Sequence, residues 1–191
     1  MDITYILAAL SLLTFMVLAT YDGFYLHLWK YRLYAREDSR FEHLTHTARA
    51  ILFPMIVIFM ALNETSFPLF VFGTVLAFLD FVILAIDAYS EKNSREFMGG
   101  LPRSEYIIHL FSNGFHYGFV ILTLVIKLDW HENSLVFVPT AEKELFAAEL
   151  FSFVAKNAVP GAIILALLHV LLYLDKVKTI LDNYRLKVQC C

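Results

Sequence analysis

Long apolar runs broken by short polar stretches set the pattern of this chain. Five runs approach the twenty or so residues needed to cross a hydrocarbon layer. They cover about residues 3–34 (apolar centre Ile6–Thr20), 42–63, 67–90, 104–128 and 160–183, where Pro160 suits a first helical turn. None alternates with period two, which favours helices over barrel strands. "NETS" at 63–66 reads as a tight polar turn. "EKNSREFMGGLPR" at 91–103 reads as a loop, with Gly99, Gly100 and Pro102 as breakers. Before the fifth run, residues 140–157 place Leu145, Phe146, Leu150, Phe153 and Val154 at helical spacing, opposite Glu142, Lys143, Glu149 and Lys156. That pattern predicts an amphipathic helix lying on a membrane surface. The expectation is an all-α polytopic membrane protein of one domain, with five transmembrane helices and one interfacial helix.

Composition agrees. Of 191 residues, 59% are hydrophobic and 17% charged, with a mean hydropathy of +0.64; soluble domains carry about 25% charged residues. The net charge of −3 comes with no basic stripe, which argues against nucleic acid as a partner. The two cysteines, Cys190 and Cys191, are adjacent at the C-terminus and make no disulfide framework; a terminal pair of this kind is a possible lipid attachment point. The first run lacks a basic leader and a cleavage site, so it reads as a retained span. Lysines and arginines crowd the connections at 30–40, 92–103 and 176–187, leaving only Lys127, Lys143 and Lys156 for the other side. The positive-inside rule then puts the N-terminus outside and the C-terminus in the cytoplasm.

Ionisable residues inside apolar runs change the picture, because they are expensive there and point to function. Asp22 and His27 lie in the first run, and Glu42, His43, His46 and Arg49 open the second. Asp80 and Asp87 lie in the third, which exits with Glu91. Glu105, His109, Asn113 and His116 enter the fourth, and His169 lies near the end of the fifth. Successive spans alternate in direction, so all of these fall in the cytoplasmic half. At about 1.5 Å per residue, His46 and Asp87 sit about 5–6 Å inside, and Asp80 and His116 about 15–18 Å. Asp80 and Asp87 share a helix face, as do His109 and His116, seven residues apart in each case. The third and fourth spans thus present a carboxylate ladder and an imidazole ladder.

Imidazole and carboxylate converging from several helices is the donor set of a transition-metal site. The expected ligands are His27, His43, His46, Asp80, Asp87, His109 and His116. Glu91 and Glu105 are the acid–base candidates, and Asp22, Glu42, Arg49, Asn113 and His169 are expected behind the ligands, orienting them. With no cysteine among them, the donors suit iron slightly better than zinc, as a single ion or a pair. The sequence therefore points to a membrane metalloenzyme acting on a lipid-like or membrane-soluble substrate, with oxidation or hydroxylation ahead of hydrolysis. A second reading is a b-type cytochrome anchor or an accessory subunit among other membrane subunits, holding haem b between paired histidines such as His27 with His116 or His46 with His169. A third is a proton-coupled transporter using the buried acids as a relay.

Overall fold

The computed structural model describes residues 2–139 and 146–189. Helix α1 (Asp2–Ala19) continues without a break into a π-helical segment, Thr20–Lys30, and ends in a short 3₁₀ turn at Leu33–Ala35. Helix α2 (Arg40–Ile56) likewise runs into a π-helical turn, Val57–Ala61. Helices α3 (Phe67–Ser94) and α4 (Arg103–Lys127) follow, then a hairpin of β1 (Leu128–His131) and β2 (Ser134–Phe137), then α5 (Phe146–Leu171) and α6 (Asp175–Gln189). Five helical stretches are long and apolar enough to cross a membrane, and they match the five expected runs in order.

The interior combines large apolar side chains such as Phe70, Phe119 and Phe151 with alanines and a set of buried acids and histidines, while many other large apolar side chains face out. On α5 the buried positions Ala147, Phe151, Ala155, Ala158, Ala162, Ala166 and His169 recur every three or four residues. They let α5 pack closely on α1 through Tyr5, Ala8, Ala9 and Leu12. Phe78, Ile121, Ile164 and Leu167 are more than half exposed, whereas Asp80, Asp87, Glu105 and His116 are buried. Large apolar side chains on the outside over buried ionisable ones is the arrangement expected where the surroundings are as apolar as leucine.

The same principle corrects the expectation for the fifth run. Among the described residues, 146–157 form no separate interfacial helix and no helix starts at Pro160: residues 146–171 are one helix, with Pro160 on its exposed side. The residues expected to form one apolar face divide: Phe146 is 80% and Phe153 64% exposed, while Leu150 and Val154 pack partly against the core beside the alanines. Leu145, Glu142 and Lys143 lie outside the described residues, as do Cys190 and Cys191. The run also ends earlier than expected. The chain turns after Leu171, and α6 docks separately through Asp182, which pairs with Arg32 and accepts a 2.8 Å hydrogen bond from the Tyr34 hydroxyl.

The hairpin was not expected from the sequence. Glu132 and Asn133, both at positive φ, form its two-residue turn. It closes the end of the bundle where Lys127 bonds the Asn63 carbonyl and Glu64 at 2.9 Å. The polar interior lies at the opposite end, where α2 begins, α3 ends and α4 begins.

Candidate metal centre

Local winding brings the functional side chains to one place. In an α-helix Asp22 and His27, five residues apart, would point about 140° away from each other. In the π-helical segment, where hydrogen bonds run between residues five apart, they share a face, and His27 Nε2 lies 3.4 Å from Asp22 Oδ1. Glu42, His46 and Arg49 on α2 are spaced four and three, as ordinary α-helix requires for one stripe. Asp80, Asp87 and Glu91 on α3 and Glu105, His109 and His116 on α4 follow the same logic.

These stripes meet around His27. Its Nε2 is 3.4 Å from Glu105 Oε1 and 3.9 Å from Glu42 Oε1. His109 Nε2 is 3.1 Å from Asp22 Oδ1 and 4.0 Å from Glu105 Oε1. Asp22, His27, Glu105 and His109 thus each offer one donor atom within 4.8 Å of the others, and His27, Glu42 and His46 form an adjoining group. The rings of His27 and His46 meet edge-on at 4.2 Å. All of these residues are buried except His46, which is partly so.

Several nitrogen–oxygen approaches here are close without being hydrogen bonds. His46 Nε2 is 3.0 Å from Asp87 Oδ2, His109 Nδ1 is 2.8 Å from Glu91 Oε1, and His116 Nε2 is 3.1 Å from Asp80 Oδ2. Yet none of these three nitrogens has a hydrogen-bond partner among the described residues. Two donors bound at right angles to one ion, each about 2.1 Å from it, stand about 3.0 Å apart. Glu42 Oε1 and Glu105 Oε2 are also buried without a partner. Buried polar atoms left this way are costly unless something else satisfies them.

Two guanidinium groups are built into the cluster. Arg49 on α2 reaches Asp80 at 3.2 Å, Asn113 at 3.0 Å and Asp87 at 3.9 Å. Arg95, just beyond α3, is fully buried and holds Glu42 Oε2 at 2.6 Å and Glu105 through a two-nitrogen contact, with its Nη2 at 3.2 Å from His27 Nε2. Burial works against the Arg95 charge, but the Glu105 hydrogen bond and the Glu42 and Glu105 carboxylates outweigh it and raise its pKa above the ordinary arginine value. Arg95 was missed in the sequence, where it counted only as a loop charge. The available signal was charge balance, since the residues picked out as the polar cluster comprise six acids (Asp22, Glu42, Asp80, Asp87, Glu91 and Glu105) and one arginine (Arg49).

The ladders on α3 and α4 meet at Asp80–His116 and Glu91–His109, across helices that are not a close-packed pair. Asp87 instead turns to α2, where it takes His46, Arg49 and the Thr45 hydroxyl. Of the other expected residues, His43 stands apart from the cluster, stacked on His169 at 5.4 Å and beside Tyr173. His116 lies deeper, against Phe15 and Phe53. Of the histidines paired for haem, His27 packs edge-on against His46 and His169 stacks on His43. A cavity of about 330 Å³ adjoins the cluster, with Asp22, His46, Asp87, His109 and His116 in its polar wall. No family model, curated protein or solved structure matches this chain.

Proposed function

We propose that the protein is an integral membrane metalloenzyme that binds two divalent cations, most suitably iron, and oxidises or hydroxylates a membrane-soluble substrate. The observation that carries the reading is the convergence of buried imidazole and carboxylate donor atoms within 4.8 Å of one another, with Glu42 Oε1, Glu105 Oε2 and His46 Nε2 left without a hydrogen-bond partner among the described residues. Charge supports it. Six buried carboxylates (Asp22, Glu42, Asp80, Asp87, Glu91 and Glu105) face two guanidiniums (Arg49 and Arg95). The excess of four negative charges equals the charge of two divalent cations, and uncompensated buried charge is strongly unfavourable.

In this reading Asp22, His27, Glu105 and His109 hold one ion, and Glu42, His46 and Asp87 the other. Arg95 clamps Glu42 by Oε2, which leaves Oε1 facing the histidines. Glu91 stands behind His109 and fixes its ring, so its role is orientation rather than proton transfer. Thr45 does the same for Asp87. Such supporting contacts set ligand orientation and basicity. Bound iron of this ligand class supplies O₂-dependent oxidation. The protein's part is to hold the ligands, balance their charge and keep the chamber dry. The basic residues near the site end, among them Lys30, Arg36, Arg40 and Arg103, support a cytoplasmic orientation of that end.

Elemental analysis of the purified protein tests this directly. About two metal equivalents per chain are expected, falling in His27→Ala and His109→Ala and retained in His43→Ala, whose ring lies outside the cluster. Metal-free wild-type protein with intact activity, or equal loss in all three variants, would refute the assignment.

A further inference from the structure

The cavity beside the cluster has two unlike walls. Its polar wall runs along α2, α3 and α4 for about 10 Å, the seven-residue rise from Asp87 to Asp80. Its apolar wall comes from α1, the π-helical segment and α5, through residues such as Phe15, Met16, Leu165 and Leu168. Phe24 and Ile164 line the cavity and yet are 38% and 67% exposed on the outer flank, so the chamber opens sideways between the π-helical segment and α5. That pair is not closely packed. A Cβ on Gly161 would lie 3.8 Å from Met16 Cε, and one on Gly23 3.7 Å from Leu165 Cδ2, both ordinary van der Waals contacts, so alanine fits at either position.

We infer that this opening admits a single alkyl chain with an uncharged polar end, of the long-chain alcohol class, directly from the bilayer. The inference rests on the proposed membrane metalloenzyme reading and names its substrate class. An apolar mouth on an apolar flank selects molecules already dissolved in lipid. A volume of about 330 Å³ lies at the low end for ligand chambers, which span about 300–1,000 Å³, and suits one chain rather than two. Charge selects the head. Asp22, Asp80, Asp87 and Glu91 face one permanent cation, Arg49, along the wall; His46, His109, His116 and His169 share that wall and are neutral when they ligate or pack, and two divalent ions would only balance the whole cluster. Nothing remains to neutralise an anionic head, and like-charge juxtaposition rejects it.

The test uses three photoreactive probes on full-length protein in nanodiscs: a diazirine long-chain alcohol, the matching fatty acid and a two-chain phosphatidylcholine. The alcohol is expected to label peptides around residues 16–24 and 161–168, with unlabelled long-chain alcohol competing. Ile164→Trp should reduce this labelling to the uncompeted background, while Gly161→Ala leaves it intact and both variants keep wild-type metal content. Competed labelling that survives Ile164→Trp, or stronger labelling by the fatty acid or the phospholipid, overturns the inference. Competed labelling in protein that never binds metal would sustain the portal and remove the metal reading. Full metal with no competed labelling would remove the portal alone.

Discussion

Replacing Arg95 by glutamine removes one charge and leaves a shorter, neutral amide. In the native protein the guanidinium bonds Glu42 at 2.6 Å, Glu105 at 3.0 Å through Nε, and the Ser94 hydroxyl at 3.0 Å, and all of these groups are buried. Removing one partner of a buried ion pair costs about 3–5 kcal/mol, because the other charge stays behind in a poor solvent. Here two carboxylates are left, so the upper end applies. For a chain of this size each kcal/mol moves the midpoint by about 2–4 °C, which puts the expected loss at about 10–20 °C in chelator. Metal should restore part of it. A divalent cation on the remaining oxygens of Glu42 and Glu105, at a concentration about 100 times its Kd, returns about 2.7 kcal/mol. The assay is thermal unfolding in detergent, followed by tryptophan fluorescence, for wild type and Arg95→Gln with EDTA and with ferrous or zinc ion. Arg95→Lys should fall between them, since it keeps the charge and loses the fork. A variant as stable as wild type in EDTA would refute the argument, because Glu42 and Glu105 would then not be charges that need this partner. A variant that metal does not stabilise would detach Arg95 from the metal site.

Three further outcomes are expected. Thr45→Val removes the hydroxyl on Asp87 and should weaken metal affinity about 10–100-fold in a competition titration with a chromogenic chelator, with the fold unchanged by circular dichroism. Gly73→Ala would place a Cβ 2.8 Å from Met60 Cγ and Phe59 Cβ; the overpacking should cost about 1–3 kcal/mol in thermal unfolding and leave metal content alone. A cysteine introduced in the β1–β2 turn should react with an impermeant maleimide in intact cells, and one placed at Gly100 should not; the reverse pattern would invert the orientation.

The sequence made the five apolar runs and the one-sided placement of acids and histidines legible, because intramembrane polarity stands out against runs of leucine and phenylalanine. It misled about α5. Pro160 and the large residues near 146–154 carry the signals of a helix start and an amphipathic face in water, whereas the packing here uses alanines and leaves Phe146 and Phe153 outside. It concealed Arg95, since an arginine in a glycine-flanked loop looks like any solvated charge until the chain folds it onto Glu42 and Glu105. It gave no sign that His43 belongs to a separate stack with His169, because three residues' spacing from His46 is compatible with one face. The Asp22–His27 pairing was out of reach for another reason: periodicity arguments assume 3.6 residues per turn, and this segment does not obey it.

That unusual winding makes length, more than side-chain identity, the guarded quantity between Thr20 and Lys30. Exchanging one outward aromatic such as Tyr21 or Tyr25 for another leaves the angular phase untouched. Deleting a single residue would break the five-residue hydrogen-bond register and rotate everything after it, taking His27 off the ion-binding axis and dragging the anchoring turn at Arg32 away from Asp182. Across related chains this stretch should drift by exchange of letters and hold its count, while the tip between β1 and β2 has freedom to grow or shrink.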